Sequence, residues 1–556
     1  MKVISLRWFV MEVLDTFIAL MLSVVLGTAA VQERFTQSCL QVALSLGEVQ
    51  GTAVNFEHNG VSYQTAAFLG IPFAEDTGYE NRFKKPTATS GWNGVFNATY
   101  KRSPCIQRNT TGPNGFFVDA SNATEDCLHL NIWVPTGCVD GSQRYPVIFW
   151  AYGGTFNTGG NSFDFYDGRF ISGFGKMIVV APNYRVGVFG FLNTDTPDVT
   201  GNMALHDMIT AHDWVMNHIE RFGGDRNNII LAGQSAGSII SSLFMISPLL
   251  PSSFYSKAYL LSGSAFTVLP ENSEGSAKDN FEIFSNKASC SIETTTESLE
   301  CLRAKNGTKV LNAELESSLL FTPSYYDDIL PVKLTELLQG IEAINKTVLL
   351  SSTRSDGAGY FELAFPDVVE NNLTFTPALL AQTFPTIFDN IDNDTLYGIL
   401  ELLPGPYNIS QDNYMGWKEL LGDILFRCPM HFMGEALSEK GANVYMQEIW
   451  SKPSFSVFSA EYAGHAEDVF MLFGYSFLYP FLATDEDRDT TLRMIRTLAD
   501  FAWEGKLPLL EDGSVWPMYS TSAGSQVVQQ TDSGYSIEEP RDCELIRFLS
   551  SIIEGS

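Results

Sequence analysis

The sequence predicts an α/β protein built on a central, mostly parallel sheet with helices on both faces. Three observations predict it. Apolar runs of strand length alternate with stretches of helical periodicity along most of the chain. Several of those runs pass straight into Gly-rich or polar turns, and ligands of open α/β sheets sit at the carboxyl ends of strands. With 556 residues, 45% of them hydrophobic, the chain is long enough for one large α/β domain with insertions.

Residues 1–30 read as a targeting segment. Lys2 and Arg7 precede an apolar run, FIALMLSVVL, that ends in small residues near Ala30. That run is shorter than the roughly 20 residues a membrane-spanning helix needs. Glu12 and Asp15 are unusual upstream of such a core, and Met11 is an alternative start. No second long apolar run follows, and the C-terminus is too short and polar for a lipid-anchor signal. Residues 31–556 are expected to form a single domain, exported and without a membrane span.

From 41 to 71 alternating residues predict short strands of a small antiparallel edge, with turns at Asn59-Gly60 and Gly70. Further strands are expected at 128–134, 145–151, 177–181, in the run before Ser235, and at 258–262, 347–351 and 444–449. The last of these is the final clear strand signal. Residues 201–222 read as a helix, with Ala204, Leu205, Met208, Ala211, Trp214 and Val215 on its apolar face. Residues 270–330 and 360–425 read as insertions.

A net charge of −30 excludes a nucleic-acid partner, since no basic surface exists to displace phosphate counterions. The acidity reads as solubility in an extracellular fluid, with steering of cationic substrates the weaker alternative. Eight cysteines in an exported chain suggest disulfides. Spacing makes Cys105 with Cys127, and Cys290 with Cys301, plausible local loops. Asn97, Asn109, Asn122, Asn306, Asn345, Asn372, Asn393 and Asn408 head N-x-S/T glycosylation triplets.

The chemistry centres on residues 233–237, Gly-Gln-Ser-Ala-Gly, between a β-branched run and an apolar helical stretch. Strand, tight turn and helix are the context in which a G-x-S-x-G motif exposes a nucleophilic hydroxyl. The bland alternative is a turn rich in Gly and Ser. A serine nucleophile needs a base, and His465, in a loop after a strand, is the candidate among seven histidines. The base needs a carboxylate to fix its tautomer. Asp356 directly follows a strand; Asp327-Asp328 and Glu467-Asp468 are the rivals. Ser235, Asp356 and His465 occur in the order nucleophile, acid, base, that of the α/β-hydrolase triad. Backbone N–H groups of Gly154, Thr155 and Ala236 are the expected oxyanion donors.

The chain resembles the type-B carboxylesterase and cholinesterase family. The resemblance rests on residues 125–133 (EDCLHLNIW), 183–187 (NYRVG), Gly201-Asn202 with Leu205 and Asp207, 222–225 (FGGD), the elbow, 261–264 (LSGS) and the His465 loop. It implies an α/β-hydrolase fold with insertions around a gorge, triad roles for Ser235, Asp356 and His465, a small-molecule ester substrate, and no metal or cofactor. It maps disulfides onto Cys105–Cys127 and Cys290–Cys301, and the cholinesterase branch's third onto Cys428–Cys543. Cys39 and Cys138 have no assigned partner and could pair with each other.

The departures are informative. The family's H-G-G-G or Y-G-G-G turn ends here in Thr155, a β-branched residue strained wherever φ is positive. The usual Glu before the serine is Gln234, which removes a negative charge and weakens attraction for a cationic ester. A cholinesterase Trp is replaced by Phe116-Phe117, and Leu319 and Phe321 fall in the acyl-pocket segment; Phe117, Gln234, Leu319 and Phe321 are the expected substrate-pocket residues. The expectation is a secreted serine esterase. A choline-ester hydrolase and a catalytically silent binding protein are the alternatives, and oligomeric state is left open.

Overall fold

The computed structural model describes residues 40–111, 117–135, 144–267, 276–364, 414–520 and 526–548. The predicted segment 1–30, Cys39, Cys138, Asn372, Asn393 and Asn408 lie outside them. Eleven strands form the main sheet: β1 (Thr52–His58), β2 (Val61–Pro72), β3 (His129–Pro135), β4 (Tyr145–Ala151), β5 (Ile178–Pro182), β6 (Gly224–Gln234), β7 (Lys257–Leu261), β8 (Thr347–Thr353), β9 (Asn443–Ile449), β10 (Val527–Gln530) and β11 (Tyr535–Glu538). Their spatial order is β1-β2-β3-β5-β4-β6-β7-β8-β9-β10-β11. From β5 to β10 every neighbouring pair is parallel; the pairs at either end are antiparallel.

The middle strands are apolar on both faces because both faces are covered. β5 is buried at every position, and β4 and β7 at all but their first. Successive side chains point to opposite faces, so an unbroken run of buried residues means that neither face meets water. Helix α1 (Arg169–Gly175) packs on β2 and β3, α2 (Met203–His218) leads towards β6, and α3 (Ala236–Ile246) packs on β4, β6 and β7. The predicted helix over 201–222 is thus α2 plus a 3₁₀ turn, Ile219–Phe222.

Two expectations need correction. Gly70 does not make a turn: it sits inside the twelve-residue β2, at a bulge where the register slips between Phe68 and Ile71. Its φ of +73° and the Arg102 side chain, 2.6 Å from where a Cβ would lie, demand glycine there. The Asn59-Gly60 turn forms as expected, with both residues at positive φ. Nor is β9 the last strand, because β10 and β11 follow it. At four residues each they are too short to declare a period. The segment 41–50 forms a separate small sheet with Val95–Asn97 rather than extending the main one. The first insertion carries three helices among its described residues, Ser276–Lys287, Thr295–Ala304 and α4 (Gly307–Ser317).

Disulfides join Cys105 to Cys127, Cys290 to Cys301 and Cys428 to Cys543. The asparagines of the five triplets within the described residues, Asn97, Asn109, Asn122, Asn306 and Asn345, are all exposed.

Behind the C-terminal half of the sheet lies a buried ion cluster. α5 (Asp356–Ala364) packs on α6 (Tyr414–Gly422), which runs through a π-turn at Asp423–Arg427 into α7 (Cys428–Glu439). Arg427 donates to Asp423 Oδ1 at 2.6 Å, to Glu419 Oε2 at 2.9 Å and to the Arg354 carbonyl at 2.5 Å. Arg354 and Arg541 also reach Glu419. Burial would raise the Glu419 pKa, but Arg427 and then Arg354 override it and hold it at about 2. Replacing Arg427 by Ala strands buried carboxylates and is expected to cost about 3–5 kcal/mol in urea unfolding at pH 7. Glu419 has a depressed folded pKa, so its contribution is complete above its ordinary 4.5 and is lost as pH falls to about 2. The gap between wild type and R427A should close across that window.

Candidate active site

The turn after β6 is shaped by contacts that only glycine allows. A Cβ on Gly237 would lie 2.1 Å from the Ala151 carbonyl oxygen, and one on Gly233 would lie 2.5 Å from the Gly237 backbone. The helix α3 can therefore start directly over the end of β4. Ser235 sits between them at φ 54°, ψ −124°, outside the regions L-residues favour. Its N–H donates to the Leu261 carbonyl at 2.8 Å and its own carbonyl accepts from Ile239, so the strained turn is pinned on both sides.

Asp356 and His465 arrive from the two strands beyond β7. Asp356 opens α5 just after β8, and His465 lies in the connection that follows β9 and leads into α8 (Glu467–Leu472). The two loops pair at a bridge between Ser355 and Gly464, with Ser355 N–H donating to the Ala463 carbonyl at 2.9 Å. His465 Nδ1 and Asp356 Oδ1 are 2.8 Å apart. Asp356 Oδ2 accepts from the Ser262 hydroxyl at 2.8 Å and from the Thr353 N–H at 3.0 Å. A carboxylate fully buried and supplied with these donors is held in one orientation, and it places the imidazole proton on Nδ1. Phe426 stacks on the imidazole with ring centres 4.1 Å apart, and Tyr360 meets it edge-on.

That tautomer leaves His465 Nε2 as an acceptor. Its partner is the Gln234 amide nitrogen at 3.2 Å; among the described contacts it makes no hydrogen bond to Ser235. The Gln234 carbonyl oxygen is turned the other way, towards the Cα of Gly153, where a Cβ would lie 2.5 Å from it. The residue before Ser235 thus occupies Nε2 of the candidate base.

The loop after β4 lies against the elbow: a Cβ on Gly153 would also be 3.0 Å from that of Ser235. Gly154 has φ +128°, and the Thr158 carbonyl excludes a side chain there. Thr155 has φ 55°, so the β-branched residue does occupy the left-handed region. The N–H groups of Gly154, Thr155 and Ala236 have no backbone acceptor among the described residues. Tyr166 places its hydroxyl 3.4 Å from the Gly153 nitrogen.

The other sequence candidates are dispersed. Phe321 is buried and edge-on to Phe284, Leu319 is half-buried, and the side chain of Phe117 lies outside the described residues. Asp327 binds the N–H groups of Ile329 and Leu330. Asp468, in the first turn of α8, makes no hydrogen bond to His465 among the described contacts; burial, then the charge of Asp356, pushes its pKa well above its ordinary value. His129, His212 and His431 are buried and bonded to Ser103, Phe254 and Tyr519. Burial lowers the pKa of each to about 4. Sequence reasoning missed Ser262, Phe426 and Tyr360. Ser262 stands in the LSGS segment, which hinted at a role; the two rings carry no local signal.

Comparison with known proteins settles the family. The model of the carboxylesterase family matches residues 38–545. The chain belongs to the carboxylesterase family. Among relatives of this carboxylesterase-family chain, "Acetylcholinesterase-1" of Trittame loki is 34% identical, over 88% of this chain and 90% of the relative. "Acetylcholinesterase 1" of Caenorhabditis briggsae is 30% identical, over 84% and 80% of the two chains. "Carboxylesterase 1E" of Mus musculus is 27% identical, over 89% and 91%. The family is one of carboxylic ester hydrolases with the α/β-hydrolase fold, which the eleven-stranded mixed sheet matches. No helix among the described residues is long and apolar enough to cross a membrane.

The elbow makes a sharp prediction within this family fold. Gly237→Ala puts a methyl 2.1 Å from the Ala151 oxygen, and backbone cannot yield as a side chain can. The variant should lose about 1–3 kcal/mol or more, measured by thermal unfolding. It should lose ester turnover even where it folds.

Proposed function

We propose that this chain is a secreted serine esterase that works through an acyl-enzyme on Ser235. The observation that carries the reading is the Asp356–His465 hydrogen bond beside a serine held at a strained elbow. As substrate binds, His465 Nε2 exchanges the Gln234 amide for the Ser235 hydroxyl. Ser235 Oγ attacks the ester carbonyl while Nε2 takes its proton, and Asp356 orients and stabilises the imidazolium. The N–H groups of Gly154, Thr155 and Ala236 receive the oxyanion. His465 then protonates the departing alcohol, and a water deprotonated by His465 releases the acid. These residues complete the chemistry without a metal or cofactor. Export of a single domain over residues 31–556 is supported by the leader-like segment 1–30, the three disulfides and the exposed glycosylation triplets.

A narrower reading, hydrolysis of choline esters, is favoured by the Cys428–Cys543 disulfide and by the names of the acetylcholinesterase relatives. Against it, Gln234 brings no negative charge to the site, and Phe117 stands where the cholinesterases carry Trp; cation–π attraction is weaker for Phe. We therefore favour neutral esters.

A fluorescent organophosphonate should label the purified protein at Ser235, located by peptide mapping, and Ser235→Ala should remove both labelling and turnover of an aryl ester. Asp356→Asn should lower kcat by roughly 10⁴ by misplacing the imidazole proton. No labelling of a folded protein would defeat the reading and leave a binding role. For specificity, the wild type should turn over a neutral ester faster than the choline ester of the same acid. Gln234→Glu should raise the choline-to-neutral ratio of kcat/KM, and an unchanged ratio would show that the charge at this position does not select.

A further inference from the structure

Away from the triad, the start of α2 faces the segment that follows α4. His206 lies in the first turns of α2, and Asp327 and Asp328 come from residues 318–333. His206 Nε2 is 3.1 Å from Asp328 Oδ1. One ligand-type atom each from His206, Asp327 and Asp328 falls within 4.8 Å of the others.

Two features set this cluster apart from a solvated surface network. Asp327 is only 7% exposed, and its Oδ2 is buried with no backbone donor or cation on it, while Oδ1 is taken by two backbone N–H groups; the Asn202 side chain is its other polar neighbour. Among the described residues no lysine or arginine pairs with Asp327, whereas a buried carboxylate ordinarily acquires a cationic partner. Among the described residues Lys85 is the lysine or arginine that pairs with the cluster, bonding the outer oxygen of Asp328 at 2.5 Å. Both of those side chains are about half exposed, 49% and 46%, so Lys85 can swing into solvent. The scaffold is also firm: Asn202 donates to the Ser324 carbonyl at 2.7 Å and accepts from the Ser324 N–H at 2.9 Å, clamping the segment to the foot of α2.

We propose that His206, Asp327 and Asp328 form a binding site for a divalent transition-metal ion, best matched by Zn²⁺. An imidazole with two carboxylates suits zinc, whereas calcium takes oxygen ligands alone. Zn–N and Zn–O bonds near 2.1 Å put tetrahedral ligands roughly 3.4 Å apart. Closure from 4.8 Å needs a shift of about an ångström, which the exposed Asp328 side chain can supply. Water completes the fourth position. The ion would staple α2 to the segment that carries Leu319 and Phe321. The site is independent of the esterase reading.

The test is equilibrium dialysis of the purified full-length protein against Zn²⁺, with excess Ca²⁺ to occupy non-specific acidic surface, beside thermal unfolding with and without Zn²⁺. Wild type should bind one Zn²⁺ per chain and gain stability from it. His206→Ala should weaken binding by at least about tenfold and remove the thermal shift. Lys85→Met, which frees Asp328 from its competitor, should bind more tightly than wild type. If His206→Ala does not fold, Asp328→Asn takes its place with the same expected loss. Equal Zn²⁺ binding by wild type and the ligand variant, or no stoichiometric binding by wild type and Lys85→Met, would overturn the proposal and leave a plain His–Asp–Lys network.

Discussion

The structure turns on a backbone contact: α3 starts against the end of β4, with Gly237 at the Ala151 carbonyl. That approach is possible because the sheet places β6 beside β4 rather than beside β5. The crossover brings the turn after β6 and the turn after β4 to one edge of the sheet. Candidate nucleophile and candidate oxyanion donors thus come from adjacent strand ends, and their spacing is set by strand pairing. The cost is local. Ser235 and Thr155 both hold positive φ, at about 1–3 kcal/mol each, and the buried strands around them supply the surplus.

The proposed acid and base follow the same logic one step further out. β8 and β9 are parallel neighbours, so the loops after them emerge side by side and pair at Ser355 and Gly464. Asp356 is then fixed by Ser262 from the end of β7, a third strand. The imidazole is held from above by Phe426, one residue before Arg427 and its ion cluster. Stability at Arg427 and geometry at His465 are therefore joined through adjacent residues. A lesion in the cluster would reach the base without touching it.

Most of this was legible where burial leaves a strong imprint. β4, β5, β7 and β8 read as strands because strands enclosed on both faces are nearly uniform in hydrophobicity. The elbow read as an elbow because its glycines are demanded by contact. Gly70 misled because a positive φ looks the same in a turn and in a bulge. β10 and β11 stayed hidden because four residues at a sheet edge carry too little pattern. Asp356 could be ranked above Asp468 by its place after a strand, but Phe426 could not be seen, since ring stacking between distant segments has no local signature. Likewise the pairing of His206 had no local signal, because Asp328 stands 122 positions away.

Gln234 matters most for what the site can bind. Asp356 is the one carboxylate hydrogen-bonded to His465 among the described contacts. Asp468 makes no hydrogen bond to His465 among the described contacts, and burial, then the charge of Asp356, raises its pKa well above the ordinary value. With an amide at 234, the residue before Ser235 adds no negative charge beside the imidazole. In the proposed mechanism one carboxylate balances the imidazolium of acylation, and an amide at 234 adds no charge to attract a cationic substrate. The net charge of −30 does not alter this, because exposed charges are screened over about 10 Å at ordinary ionic strength. The same amide also occupies Nε2 of His465, the proposed base. In the proposed mechanism, charge selection and access to the base therefore converge on one side chain, next in sequence to Ser235 and placed between His465 and Gly153.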